Sequence, residues 1–177
     1  MNMKKIVLIA FLMMVTQMTT AQEWITPVIE GYGKITELKD VAVQPDASME
    51  YKIVFDVKDD REMDGINIGL FKIARMINLL GAGGISPEKV HIVAAIHGGA
   101  TFAVLNEAKY QEKNEKPNPN TEVLQLLKDY GVELLVCGQA TASRGIVKDD
   151  LDSNVEVATS AMMVLANYQL QGYVIMP

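Results

Sequence analysis

Residues Val132–Cys137 read VELLVC and are followed at once by GQATASRG, residues Gly138–Gly145. The first run is short, apolar and bounded by a glycine, which is typical of a buried β-strand. The second run consists of small and hydroxyl residues and begins where the strand ends. The pattern therefore predicts a turn from a strand into a helix at one edge of a sheet, with Cys137 at that turn.

Cys137 is the only cysteine in the chain, so an internal disulfide is impossible. A helix N-terminus next to the sulfur favours the thiolate, which is the reactive form of the side chain. Free cysteine is also among the residues most often buried in a protein core. The position therefore leaves two interpretations open, a buried bystander and a lone nucleophile.

Strands and helices alternate on both sides of this segment. Apolar, β-branched runs predict strands at 51–57, 90–96, 132–137, 155–159 and 173–176. Apolar residues at helical spacing, with caps such as Thr121 and Ser160, predict helices at 65–80, 101–109, 122–130 and 160–171. This alternation indicates an α/β fold in which helices cover both faces of a parallel sheet.

His97 and the Gly98-Gly99 pair follow directly on the strand at 90–96. Because the carboxyl ends of parallel strands meet at one edge, we expect His97 and Cys137 to face the same crevice. The imidazole can exchange a proton near neutral pH, but it can equally bond a loop carbonyl and cap its strand. The two glycines stand where backbone N–H groups can bind a ligand, although a glycine pair alone is a weak signal. His91, within the strand, is predicted to be a core residue.

A charged loop at residues 111–120 precedes the helix at 122–130. The strand after that helix starts at the far edge of the sheet, so the loop is expected on the Cys137 edge. Pro117 and Pro119 favour a mobile loop that acts as a lid, and an ordinary surface loop is the alternative. The Gly81–Gly84 run follows a helix, which predicts a C-terminal cap and not a phosphate-binding loop.

Residues 1–21 have the features of a secretory signal peptide. Lys4 and Lys5 precede an apolar run at residues 6–15, and a cleavage region of small residues ends at Ala21. The apolar run is shorter than the roughly 20 residues that a membrane span needs. We therefore expect an exported chain, periplasmic or secreted, that begins near Gln22 and has no membrane anchor.

Residues 22–50 contain scattered proline and glycine without sustained periodicity, which predicts an extended arm ahead of one α/β domain at 51–177. The apolar residues within Trp24–Tyr32 are expected to pack on a neighbouring subunit of a homo-oligomer. The net charge of −6 argues against nucleic acid and anionic membranes as partners. No metal is predicted, because one cysteine and one well-placed histidine fall short of the ligands that zinc requires. No other cofactor is predicted.

Several motifs resemble the DsrE/DsrF-like family, whose members are also called YchN-like proteins. The segments that carry the resemblance are Cys137–Ile146, Asp150-Leu151, Val155–Met162, Gln169–Tyr173, the strand at 51–56 and the His97-Gly98-Gly99 turn. The resemblance covers about residues 51–177. It implies a three-layer α/β sandwich with a five-stranded parallel sheet, and assembly into trimers or hexamers.

In the best understood members of that family, the cysteine at the position of Cys137 carries sulfur as a persulfide in a cytoplasmic relay. The resemblance implies that Cys137 accepts sulfur from a donor protein or a small sulfur compound. In this hypothesis His97 serves as a proton shuttle or as an orienting partner. The candidate binding residues are Gly98, Gly99, Gly138, Thr141 and Arg144, through backbone N–H groups, the threonine hydroxyl and the positive charge of the arginine. The predicted export and the N-terminal arm distinguish this chain from the relay members.

Two other functions stay open at this point. The first is a non-catalytic, oligomeric module whose crevice binds a small anion, and the second is a redox-sensing thiol. Arg144 can add positive charge beside the thiolate, or it can form a surface ion pair with Asp149 or Asp150.

Overall fold

The structure is a computed structural model that describes residues 23–177. The predicted signal peptide, residues 1–21, lies outside the described residues. Within them, the strands are β1 (Tyr51–Val57), β2 (Glu62–Met63), β3 (Ile66–Asn67), β4 (Val90–Ile96), β5 (Glu133–Cys137), β6 (Glu156–Ala158) and β7 (Val174–Met176). Five of them form a parallel sheet in the order β6-β5-β4-β1-β7, and β2 pairs with β3 in a short hairpin.

Helices cover both faces of this sheet, so the predicted three-layer α/β sandwich is confirmed. The α-helices of the described residues are α1 (Ile68–Ala82), α2 (Glu107–Asn114), α3 (Thr121–Tyr130), α4 (Gly138–Ala142) and α5 (Ala161–Leu170). Short 3-10 segments occupy Pro87–Lys89, Gly98–Val104 and Lys148–Asp150. None of the helices within residues 23–177 has the length and apolar character needed to cross a membrane.

The core has two parts because successive strand residues point to opposite faces of the sheet. On the first face, Ile53 and Phe55 of β1 join a large cluster that includes residues of α1 and α3. On the second face, Val54 of β1 packs in a smaller cluster with Val164 of α5. Side chains at the carboxyl edge can therefore be assigned to one face or the other by counting along each strand.

Two predicted helices begin later than expected, in both cases because an asparagine caps the chain locally. Helix α1 begins at Ile68, since the Asn67 side chain accepts hydrogen bonds from the N–H groups of Gly69 and Leu70. The predicted helix at 101–109 is wrong. The chain forms the 3-10 segment there, and α2 starts only after Asn106, whose side chain accepts from the Lys109 N–H.

The loop predicted at 111–120 is wrong for its first four residues, and its mobility stays a prediction. Residues 111–114 belong to α2, and the remainder is held by buried amide side chains. Asn118 donates to the carbonyls of Ala103 and Leu105, and the Asn120 side chain accepts from the Asn67 N–H. These hydrogen bonds fix the loop against the 3-10 segment and the hairpin.

The N-terminal arm folds back on α1 of its own domain. The fully buried side chain of Asn78 accepts from the N–H groups of Val28 and Ile29 and donates to the carbonyls of Tyr32 and Gly33. Ile29 is part of the large core cluster, which corrects the expectation that this apolar residue packs on a neighbouring subunit.

Candidate functional site

Cys137 is the last residue of β5 and the N-cap of α4, as the strand-to-helix pattern predicted. Its side chain is 7% exposed and lies in the smaller core cluster with Val93, Ala95 and Ala161. The thiol is therefore at the carboxyl edge of the sheet, on the face that α5 covers. Helix α4 has only five residues, so it contributes little helix dipole at the sulfur.

His97 and Cys137 are brought together by the strand register. Ile96 is the partner of Val136, so the next residues in each strand, His97 and Cys137, stand opposite each other. The His97 N–H donates to the Val57 carbonyl, which continues the extended backbone one residue past β4. Alternation from Ala95 places His97 on the α5 face, the same face as Cys137.

Asp56 is a third polar residue of this site, and it was missed by the sequence analysis. Its Oδ1 lies 2.7 Å from Nε2 of His97, and its Oδ2 lies 3.4 Å from Nζ of Lys58. Since a carboxylate only accepts, the His97 Nε2 donates this hydrogen bond. The available signal was an acidic residue at the end of an apolar strand, one position before Val57.

Arg144 connects the turn after Cys137 to the turn after His97. Its guanidinium donates to the Ala140 carbonyl and to the Ser143 hydroxyl on one side, and to the Gly98 carbonyl at 3.2 Å on the other. Among the described residues no carboxylate lies within ion-pair distance of it, so the predicted pairing with Asp149 or Asp150 is wrong. The Asp150 carboxylate instead accepts from the Val147 N–H.

The guanidinium of Arg144 also lies over the ring of Phe102, with 5.5 Å from Cζ to the ring centroid. A cation over an aromatic face is attracted by the electrons of the ring. Arg144 is thus held by carbonyls, a hydroxyl and an aromatic ring, and its positive charge is not neutralised by a carboxylate in the described part of the chain.

The glycines of the site are required by close packing. A Cβ at Gly98 would lie 2.8 Å from the Lys58 carbonyl oxygen, and Gly98 has a φ of +56°. A Cβ at Gly99 would lie 2.9 Å from the Cβ of Asp60, and one at Gly138 would lie 2.8 Å from the Ala158 carbonyl oxygen. These contacts explain the three glycines without a ligand.

Thr141 is buried within α4, and its hydroxyl donates to the Gly138 carbonyl at 3.1 Å. The hydroxyl proton is thereby used inside the helix. The Thr141 carbonyl accepts from the N–H groups of Arg144 and Ile146 and closes the turn that follows. The local role of Thr141 is to shape the segment that positions Cys137.

The second histidine, His91, lies at the opposite edge and is not the core residue that was predicted. Its side chain is 39% exposed, and its Nε2 lies 2.8 Å from Oε1 of Glu50. Strand β5 pairs with β4 only from Val93 onward, so His91 has no β5 residue beside it. Within residues 23–177, no three His, Cys, Asp or Glu side chains are grouped so that they could hold a metal ion.

Comparison with known proteins places the chain in a family. Residues 51–177 match the model of the DsrE/DsrF-like family. Among solved structures, a protein of unknown function from Methanobacterium thermoautotrophicum, MTH1491, shares 20% identity over 71% of this chain and 97% of its own, with a TM-score of 0.56. The ychN protein from E. coli shares 19% identity over 71% of this chain and 96% of its own, with a TM-score of 0.49.

The likeness to MTH1491 shows a shared fold. No protein with a curated description matches the chain significantly. The family match is the stronger finding, because it spans every strand of the parallel sheet and includes both His97 and Cys137. The chain belongs to the DsrE/DsrF-like family, which is associated with sulfur relay.

Proposed function

We propose that this protein is a sulfur carrier that takes up one sulfane sulfur on Cys137 and holds it as a persulfide. The observation that carries the proposal is the register of β4 and β5, which sets the single cysteine opposite His97 at the carboxyl edge. With no second cysteine to resolve the persulfide, the cargo has to pass to another molecule.

Uptake is a transfer of sulfur between thiols. The Cys137 proton passes to His97, and the thiolate attacks the outer sulfur of a donor persulfide, R–S–SH. A bond forms between Sγ and that sulfur while the S–S bond of the donor breaks. The leaving thiolate, R–S⁻, takes the proton from His97 and departs as R–SH, so no separate oxidant or reductant is required.

Arg144 is proposed to attract the donor. Persulfides and polysulfides are anionic near neutral pH, and Arg144 carries a positive charge that no carboxylate of the described residues pairs. Cys137 is buried, so the protein has to open locally before a donor reaches the sulfur, and we propose that the two flanking turns separate. Arg144 bridges those turns, so an anion that binds its guanidinium competes with the Gly98 carbonyl.

Intact mass spectrometry of the folded protein, before and after treatment with sodium polysulfide, tests the proposal. We expect a gain equal to the mass of one sulfur atom, lost on addition of dithiothreitol and absent from Cys137→Ser. A thiol that reacts only after unfolding would contradict the proposal. A native thiol that gains oxygen from peroxide but no sulfur from polysulfide would favour redox sensing instead.

The protein is further proposed to form a homo-oligomer, a trimer or hexamer, through the outer side of α5. Three large apolar residues of this helix are exposed, Met162, Met163 and Leu170, at 77%, 48% and 87%. Exposed apolar patches of this kind are typical of protein interfaces. Light scattering should show an oligomer that Met162→Glu with Leu170→Glu dissociates, whereas Val43→Glu, at an exposed apolar position of the arm, leaves it intact. A wild-type monomer would contradict this.

Export to the periplasm or the medium is likewise a proposal. It depends on residues 1–21, which lie outside the described residues. Fractionation of cells that express the full chain should recover a processed protein outside the cytoplasm. Deletion of residues 2–21 should keep the protein inside, and full-length protein found only in the cytoplasm would contradict export.

A further inference from the structure

We infer that Asp56 is a positioning residue, whose carboxylate orients His97 and fixes Nδ1 as the nitrogen that exchanges a proton with Cys137. The inference rests on the proposed sulfur-carrier function and adds to it a residue that does not touch the reacting sulfur. It is carried by the geometry of three adjacent strands.

The strand order puts His97 between the other two residues. Strand β4 lies between β5 and β1, so Cys137 is on one side of His97 and Asp56 is on the other. Asp56 alternates with Val54, which packs in the same cluster as Cys137, and all three side chains therefore belong to the α5 face. The arrangement is a row of carboxylate, imidazole and thiol across the carboxyl edge.

The hydrogen bond to Asp56 determines which imidazole nitrogen carries the proton. Because the carboxylate only accepts, Nε2 of His97 is protonated at its 2.7 Å contact. Among the described residues, no hydrogen bond reaches Nδ1 of His97. The neutral ring thus keeps its lone pair on Nδ1, and that nitrogen takes the thiol proton.

The surroundings of Asp56 indicate that its negative charge stabilises the protonated imidazole of His97. The side chain is 17% exposed, and a carboxylate removed from water is costly unless it is paired and hydrogen-bonded. Its second partner, Lys58, is well exposed and contributes little as an ion pair. When the proton moves from Cys137 to His97, a thiolate and an imidazolium form. The fixed carboxylate then stabilises the imidazolium.

Other charged groups lie in the segments next to this imidazole. Lys58 and Asp60 belong to the loop after β1, and Arg144 belongs to the turn after α4. These side chains stay in place when Asp56 is replaced by the isosteric asparagine, which removes the carboxylate from both His97 and Lys58.

The test measures the rate of Cys137 alkylation by iodoacetamide against pH in the folded protein. In Asp56→Asn we expect the pH of half-maximal rate to rise by about one unit, and the rate near pH 7 to fall about tenfold. Asp56→Glu should recover part of the rate. His97→Gln should reproduce the loss, and the double variant Asp56→Asn with His97→Gln should lose no more than His97→Gln alone.

Glu50→Gln is the matched control, because it removes the carboxylate from the other histidine pair, at the opposite edge. Its alkylation profile should equal that of the wild type. An Asp56→Asn profile that also equals the wild type would overturn the inference. So would additive losses in the double variant, since a residue that acts through His97 has no effect once His97 is gone.

If Asp56→Asn fails to fold, the tautomer of His97 in the wild-type protein tests the inference independently. Nitrogen–proton correlation spectra of the imidazole rings should show the Nε2–H form for neutral His97, and an Nδ1–H form would overturn the inference. The proposed function is tested separately by sulfur loading. If the wild type gains sulfur but Asp56→Asn is alkylated as fast as the wild type, only the role of Asp56 is rejected. If the alkylation profile of Asp56→Asn is shifted but the wild type gains no sulfur, only the carrier function is rejected.

Discussion

The two edges of the parallel sheet each hold a histidine paired with a carboxylate, and the pairs have nearly the same length. At the carboxyl edge His97 lies 2.7 Å from Asp56, and at the amino edge His91 lies 2.8 Å from Glu50. Their side-chain exposures differ, at 30% and 17% for the first pair and 39% and 55% for the second. Only the first has a cysteine on the neighbouring strand. The candidate site is therefore distinguished by its greater burial and by the neighbouring Cys137, and not by the histidine–carboxylate pair itself.

The edges also differ in how their loops are held. The carboxyl edge is held by buried amides, a close glycine turn and the Arg144 bridge. The amino edge has exposed contacts, such as the hydrogen bond that the Ser86 hydroxyl donates to Glu88. We therefore expect substitutions at the carboxyl edge to have larger effects on both stability and reactivity.

The largest expected effect is that of Asn118→Ala. The substitution removes two hydrogen bonds to the carbonyls of Ala103 and Leu105 and the acceptor for the Asn120 N–H, all in a buried setting. Urea unfolding should show a loss of about 3 kcal/mol. Ser86→Ala, its counterpart at the amino edge, should change the unfolding free energy by less than about 0.5 kcal/mol. Equal losses would contradict the difference between the edges.

A pair of glycine substitutions sharpens the comparison. Gly98 and Gly84 both have a positive φ, +56° and +74°, but only a Cβ at Gly98 meets backbone, at 2.8 Å from the Lys58 carbonyl oxygen. Gly84→Ala at the amino edge should cost about 1 kcal/mol, the strain of the left-handed conformation. Gly98→Ala should cost about 2 kcal/mol because the strands also have to shift. Thermal or urea unfolding of both variants measures the difference. A cost at Gly98 no larger than that at Gly84 would show that the loop after β1 moves aside without loss of stability.

Arg144→Ala separates access to Cys137 from attraction of the donor. Removing the bridge to the Gly98 carbonyl should let the turns separate more often, so that alkylation by neutral iodoacetamide becomes several-fold faster. The rate of sulfur loading from anionic polysulfide should increase less than the rate of alkylation, or should fall, because the positive charge is lost. Lys148→Ala, at an exposed cation nearby, should change neither rate. Equal changes with both reagents would reject a role for the charge.

The smallest effect is expected at the amino edge, as a function of pH. Burial, and then the hydrogen bond to Glu133, raise the pKa of Tyr168 above its ordinary value of 10.0. The folded protein thus favours the neutral phenol, and the resulting stabilisation is complete below pH 10 and is lost as the pH rises further. Urea midpoints of wild type and Tyr168→Phe should converge above pH 10. A difference between the two midpoints that stays constant with pH would contradict this account. As a control, the rate of Cys137 alkylation near pH 7 should be the same in both proteins.

The sequence predicted the fold and the position of His97 and Cys137 at one edge of the sheet, because both follow from where the strands end in a parallel sheet. The sequence could not predict the contact of Asp56 with His97, since no local pattern shows that β1 lies beside β4 on the side away from Cys137. The partners of Arg144 were also mistaken. Nearby acids in the sequence suggested an ion pair, whereas the fold offers carbonyls from two turns.

The misplaced helix at 101–109 has a similar physical cause. Its apolar residues suit a helix, but Ala100 and Val104 are buried in the core as part of a 3-10 segment, and Asn106 starts α2 afresh. The glycine pair was associated with a ligand because its position fits one. Only the tertiary contacts with Lys58 and Asp60 reveal the packing reason.

Cold cyanolysis of the polysulfide-treated protein tests the sulfur-carrier function most directly. Cyanide takes the outer sulfur of a persulfide and releases it as thiocyanate, leaving the thiolate behind. After excess polysulfide is removed, we predict one thiocyanate per chain from the folded wild type and none from Cys137→Ser. No thiocyanate from the wild type, or equal amounts from both proteins, would contradict the claim that Cys137 carries the sulfur.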